Sequence, residues 1–173
     1  GAAVALILSI APENKLRGML FWLMGDLSHA ASPWPALATL ALGVLVALPF
    51  SRDLNLLARG DLTARSLGVP VARLRGGVYV LAALATAAAV TTTGSVGFVG
   101  LIVPHLVRLS VGNDQRVLLP AATLAGGALL VVADTMARTV VAPQQLPVGV
   151  LTALLGVPVF LYLLSRQPKG GRE

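Results

Sequence analysis

Four uninterrupted apolar stretches, Trp34 to Phe50, Gly76 to Thr93, Val117 to Met136 and Pro147 to Leu164, do most to limit what this chain can fold into. A helix crosses the roughly 30 Å hydrocarbon core of a bilayer in about 17 to 25 residues, and each stretch reaches that length. A shorter, interrupted run covers Gly97 to Val111, and a remnant covers Gly1 to Ala11. None alternates with the period of two that a membrane barrel strand requires, so each is read as helix. Composition agrees, since 56% of the 173 residues are apolar and 12% are charged, far from the balance of a soluble domain. The expected fold is all-α, a polytopic transmembrane helical bundle of about five complete spans, a partial first one and short re-entrant or loop helices.

Gly1 opens the chain inside the apolar run Gly1 to Ile10 with no charged leader, which is read as a cut and not as a signal peptide. The absence of Cys removes disulfides and thiolate chemistry. Net charge is +6, but the basic residues fall between apolar spans and form no stripe of the kind that binds nucleic acid. Their placement is a topology signal instead. With Gly97 to Val111 counted as a span, Arg52, Arg59, Arg65, Arg73, Arg75, Arg108, Arg116, Arg166, Lys169 and Arg172 share one side, and Lys15, Arg17 and Arg138 the other. The positive-inside rule then puts the first set and the C-terminus in the cytoplasm. Dropping the short span would scatter the basic residues over both sides, so it is kept.

Three places depart from plain spanning helix, and irregular backbone at membrane depth persists only where protein buries it or it lines a cavity. The first is Pro12 to Asp26, where APENK ends one helix and LRGMLFWLMGD begins a segment too short to cross. It reads either as an interfacial helix anchored by Phe21 and Trp22 or as a short gate helix, Phe21, Trp22, Leu23, Met24 and Gly25, with the glycine as hinge. The second is GSVGFVGLIVPHLVR. Gly94, Gly97 and Gly100 at spacing three allow close approach of a neighbour, and Pro104 bends or restarts the helix. Tight packing between spans explains the glycines as well as a pathway does. His105 is read as a structural, hydrogen-bonded residue, because no carboxylate cluster completes a metal shell around it; no metal site is expected. The third is LNLLARGDLTARSLGVPVARLR, where Leu56 to Arg65 suit a short helix, Gly68 ends it and Pro70 opens the next. It is a solvated loop or a docking element, and the apolar Leu62, Leu67 and Val69 argue for a partner or the bilayer surface.

The loop resembles the ATPase-docking helix pair of the ABC permeases that import iron-siderophores, haem and vitamin B12. Leu54, Asn55, Leu57, Gly60, Asp61, Ala64, Leu67, Gly68, Val69 and Pro70 match that family's pattern L-N-x-L-x-L-G-[ED]-x-x-A-x-x-L-G-[VL]-P. Gly94, Val96, Gly97, Phe98, Val99, Gly100, Leu101, Pro104, His105 and Arg108 match G-x-[IV]-G-F-[IV]-G-L-x-x-P-H-x-x-R. Gln115 to Pro120, Ala133 to Arg138 and Leu146 to Val150 follow in family order. Arg59 stands where an apolar residue is common, and Asp61 where Glu is common; both bear on how an ATPase fits.

The resemblance implies a type II ABC importer permease, with residues 1–173 as its C-terminal half and 54–72 as coupling helices. Its partners would be a second permease copy, a cytoplasmic ATPase pair, an extracytoplasmic binding protein and the lipid of a bacterial inner membrane. The ATPase contact would comprise Arg59, Gly60, Asp61, Ala64, Arg65, Leu67, Gly68, Val69 and Pro70. The gate and pathway would comprise Phe21 to Gly25, Gly94, Gly97, Gly100 and Pro104, and Arg138 would meet the binding protein. No cofactor is expected in this chain, since it lacks the G-x-x-x-x-G-K-[ST] phosphate loop and ATP and Mg would sit in the partner. The chain is thus expected to be a transport subunit and not an enzyme. The rival class is half of an ion-coupled secondary transporter or channel, which needs a buried polar cluster near the bilayer centre. Asp134 is the sole acidic residue in the closing spans, and Arg138 four residues on makes it read first as a local ion pair.

Overall fold

The computed structural model describes residues 2–28 and 32–165, in which the chain forms α1 (Ala2–Ile10), α2 (Glu13–Met24), α3 (Trp34–Ala47), α4 (Ser51–Leu57), α5 (Asp61–Ser66), α6 (Val71–Thr93), α7 (Val99–Val111), α8 (Gln115–Thr139) and α9 (Val148–Ser165). A 3₁₀ turn, Leu48–Phe50, carries α3 into α4. Arg166, Lys169 and Arg172, with the C-terminus whose side they help to assign, lie outside the described residues.

Trp34–Leu57, α6 and α8 are long and apolar enough to cross a membrane. The other two expected spans are shorter helices. The 13 residues of α7 rise about 20 Å, and the 18 of α9 about 27 Å, at roughly 1.5 Å per residue. The non-helical stretch from Gly94 to Phe98 extends the reach of α7. Although short, α7 returns the chain from one end of the bundle to the other. Arg108 near its end lines one recess with Asn55, Arg59 and Asp114. At the opposite end the Asp26 N–H donates to the Thr93 carbonyl, 2.9 Å, and the Leu146 N–H to the Ala137 carbonyl, 3.0 Å. The run Gly97 to Val111 thus connects opposite ends of the bundle, although α7 is shorter than the three helices long enough to cross a membrane by themselves. Pro104 neither breaks nor restarts α7, which is continuous through it.

Packing is strongest between α7 and α8, between α3 and α6, and where α9 lies against both α7 and α8. The apolar window of α6 has no buried residue, and Tyr79, Val80 and Leu84 stand exposed along it. A helix apolar all round belongs in a protein core or in lipid. In such surroundings hydroxyls need partners within the helix: Thr91, Thr92 and Thr93 each donate to the carbonyl four residues back, at 2.9, 3.0 and 2.9 Å.

Candidate functional site

The loop between α3 and α6 is a built structure. The single short helix expected from Leu56 to Arg65 is instead two, α4 and α5, broken at Gly60, whose φ of +115° favours a residue without Cβ. Gly68 ends α5 as expected, and its φ of +83° closes a Schellman turn: the Val69 N–H donates to the Ala64 carbonyl and the Gly68 N–H to that of Arg65, both 3.0 Å. The hydrophobic contact that accompanies this turn is Val69 on Ala64, joined by Val71 with Leu56, Leu57 and Leu74 around them. Pro70 then caps the long span α6, so the second helix of the expected pair is the start of that span.

This core corrects two site assignments. Ala64 is 0% exposed and Val69 is buried, so neither side chain can be a contact for a partner; both hold the loop in shape. Leu62 at 85% and Leu67 at 60% exposure remain outward, as do Arg59, Gly60, Arg65, Gly68 and Pro70. Asp61 is half-buried and accepts from Arg75 at 2.6 Å, which ties α5 to the first turns of α6. An exposed pair of this kind contributes only about 0–1 kcal/mol, so its value is geometric.

A second tie fixes α4. The Asn55 side-chain amide donates to Asp114 Oδ1 at 2.9 Å and accepts the Gln115 N–H at 2.9 Å. Asp114 also accepts the Arg116 N–H at 3.0 Å and so caps α8. The Asn55 amide and then the Arg116 N–H hold the Asp114 carboxyl below the ordinary carboxylate range. The cap therefore loses its charge only as pH falls through that lowered value. An acidic cap before Gln115 is legible in the sequence; its partner, 59 residues upstream, is not.

At the opposite end three buried glycines meet. A Cβ on Gly94 would overlap the Trp22 carbonyl, one on Gly149 the Met24 carbonyl, and one on Gly25 would lie 2.7 Å from the Ser95 carbonyl. The Gly149 N–H reaches the Gly25 carbonyl at 3.4 Å. The end of α2, the end of α6 and the start of α9 are thus locked backbone to backbone. Gly25, expected as a free hinge, is held on two sides. Gly149 was missed as a site residue although it stands in the Leu146 to Val150 motif. Close approach fails at Gly97 and Gly100, where a Cβ would meet nothing within 4 Å. Gly97, with Met24 and Phe98, instead lines an open groove of about 830 Å³ along α9. Of the other gate residues, Phe21 and Leu23 are half-buried and Trp22 is more exposed. Arg17 stacks on Phe21 at 5.6 Å, and Trp22 and Leu23 face α1 across an apolar recess.

Near this end Arg138 Nε donates to Asp134 at 2.8 Å, with the arginine side chain 39% exposed. The ion pair expected from the i, i+4 spacing is present. Asp26 lies close enough to act on Arg138 electrostatically.

Apolar helices open on their outer faces, a built loop at one end and a glycine-locked corner at the other mark a multi-pass helical membrane domain. The chain belongs to the FecCD transport family, whose model matches residues 1–166. It is 46% identical over 175 residues to the hemin transport system permease protein HmuU of Yersinia pestis, covering 96% of this chain and 51% of that protein. It is 46% identical over 166 residues to the cobalamin import system permease protein BtuC of Halobacterium salinarum, covering 94% and 44%. With the Fe(3+) dicitrate transport system permease protein FecD of Escherichia coli it shares 40% over 169 residues, covering 95% and 52%. Its fold matches a solved structure described as an inward-facing conformation of a transporter assigned to the metal-chelate ABC type, with TM-score 0.81, 37% identity, and coverage of 96% of this chain and 55% of that one. The chain spans about half the length of the curated relatives it matches.

Proposed function

We propose that this chain is the C-terminal half of the permease of an ABC importer, which passes an iron-siderophore, haem or cobalamin from an extracytoplasmic binding protein to the cytoplasm by ATP-driven alternating access. The relatives are permeases of hemin, cobalamin and Fe(3+) dicitrate systems. In this reading the chain does no covalent chemistry, and a separate ATPase pair binds ATP and Mg. The protein sits in the bacterial inner membrane with the α4–α5 loop and the C-terminus in the cytoplasm, paired with a second permease copy.

The observation that carries the reading is the loop: a folded unit with its own small core, held to α6 and α8, that turns Leu62 and Leu67 outward. Apolar side chains held out on a rigid loop are suited to a partner's groove. Leu62→Asp in the full-length permease should cut co-purification of the ATPase at least tenfold while yield and thermal stability stay at wild-type values, because Leu62 supports nothing else in the loop. Undiminished co-purification would remove the loop from the contact.

On the outer face Arg138 meets carboxylates of the binding protein, since a guanidinium stays charged at physiological pH and grips a carboxylate with two hydrogen bonds. Arg138→Glu should weaken binding-protein association about tenfold, and an acidic-to-Arg change on that partner should restore part of it. A variant that docks normally and is only less stable would leave Arg138 with the ion pair alone. The segment Phe21 to Gly25 moves in the cycle together with the end of α6 and the start of α9, because the glycine lock joins the three. The ion-coupled alternative is not favoured, since Asp134 is already paired with Arg138.

A further inference from the structure

The ATPase-facing loop touches two long helices, and the two attachments differ in kind. To α6 it is joined by chain continuity, by the Ala64–Val69–Val71 core and by Arg75 on Asp61. To α8 it has no covalent link, and the attachment centres on Asn55, on a helix remote in sequence. General packing of α4 on α8 backs it, but packed apolar surfaces slide without a preferred register. A two-point hydrogen bond does not.

We propose that Asn55 transmits displacement of the loop to α8, by gripping the first turn of that helix at two atoms. The proposal rests on the permease reading above. Asn55 Nδ2 holds the capping carboxylate of Asp114, and Asn55 Oδ1 holds the N–H of Gln115, one of the first-turn donors that no helical carbonyl can satisfy. An amide is suited to the position because it offers a donor and an acceptor from one rigid plane. Aspartate would set two carboxylates together, and alanine would leave the Gln115 N–H without its partner. The helix so gripped is continuous for 25 residues, about 37 Å at roughly 1.5 Å per residue. Its far end carries Asp134, Arg138 and the Ala133–Ala137 face that packs on Val148 at the start of α9. A push on the loop therefore reaches the outer surface and the glycine-locked corner through one rigid rod. Asn55 is a positioning residue, and it touches neither ligand nor ATP.

The test is a reciprocal swap in the full-length permease, assembled with its ATPase and binding protein in liposomes. Asn55→Asp should lower ATP-driven uptake at least tenfold while the ATPase still co-purifies. In Asn55→Asp/Asp114→Asn the two bonds of the grip can be rebuilt. The new aspartate accepts from Gln115 N–H and from the new asparagine amide; the Arg116 N–H, which shares Asp114 Oδ1 with Asn55 in the native chain, gives up its bond to that atom. Uptake should return to within about threefold of wild type. A spin label at Thr139, exposed at the far end of α8, should change its distance between the two permease copies on ATP trapping in wild type and swap, and not in Asn55→Asp. A capping role alone would leave that distance change intact. Wild-type uptake in Asn55→Asp, failure of the swap to fold or to recover, or loss of ATPase co-purification in the single variant would each overturn the proposal. A wild-type assembly that hydrolyses ATP without uptake would instead overturn the permease reading, before any variant is compared.

Discussion

Gly94→Ala should leave almost no folded permease, with monodisperse protein after detergent extraction reduced at least tenfold and uptake lost with it. Gly94 has φ +69° and ψ −155°, a region essentially reserved for glycine, where another residue costs on the order of 1–3 kcal/mol. The added methyl would also overlap the Trp22 carbonyl, a backbone atom that cannot move aside by changing rotamer. Relief would require pulling the end of α2 away from α6, and with it the Asp26–Thr93 hydrogen bond. Gly100→Ala is the control: it lies within α7, a Cβ there meets nothing within 4 Å, and replacing a helical glycine gains about 0.5–1 kcal/mol. Size-exclusion chromatography of the two variants side by side reads the difference. A Gly94→Ala protein that extracts and transports like wild type would show that the three-helix corner is not held by glycine.

The second large effect is expected at Ala64. Ala64→Glu would place a carboxylate and one further carbon at a position with no exposed surface, against Val69 and Val71. An isolated buried charge is costly enough that the structure gives way first, and the Schellman turn that Ala64 closes would open. The loop should unfold locally while the spans remain inserted. Protease cleavage between Arg59 and Arg73 should become at least tenfold faster, and the ATPase should no longer co-purify. Leu62→Asp should lose the ATPase without the faster cleavage, because Leu62 is outside that core. Equal cleavage rates in the two variants would contradict the division into an inner residue that shapes the loop and an outer one that meets the partner.

The apolar run lengths made the helical membrane fold legible, and the requirement that basic residues share one side kept a short helix at α7, which is 13 residues long and joins opposite ends of the bundle. Gly68 and Pro70 were readable because a positive φ after a helix and a fixed φ before one are local demands. What was not legible is what depends on distant partners. Val69 looked like an unsatisfied apolar residue in a polar loop, and Ala64 like a contact, because the loop's own core forms only once α5 folds back on the start of α6. Spacing three marked Gly94, Gly97 and Gly100 alike, yet of these only Gly94 faces another backbone, that of Trp22, 72 residues upstream. The clamp of Asn55 on Asp114 and Gln115 is of the same kind, since each residue has a sufficient local explanation and the pair has none.

In the proposed function these helices belong to a permease driven by a partner's ATP hydrolysis and not by an ion gradient. It is tested most directly by reconstituting the full-length permease with its ATPase and binding protein in liposomes and following uptake of radiolabelled haem, ferric siderophore and cobalamin. At least one of the three should accumulate with ATP inside, at a rate unchanged when ionophores collapse the proton and sodium gradients, and uptake should stop with an ATPase unable to hydrolyse ATP. Uptake that persists with that dead ATPase and vanishes with the ionophores would contradict the proposed function.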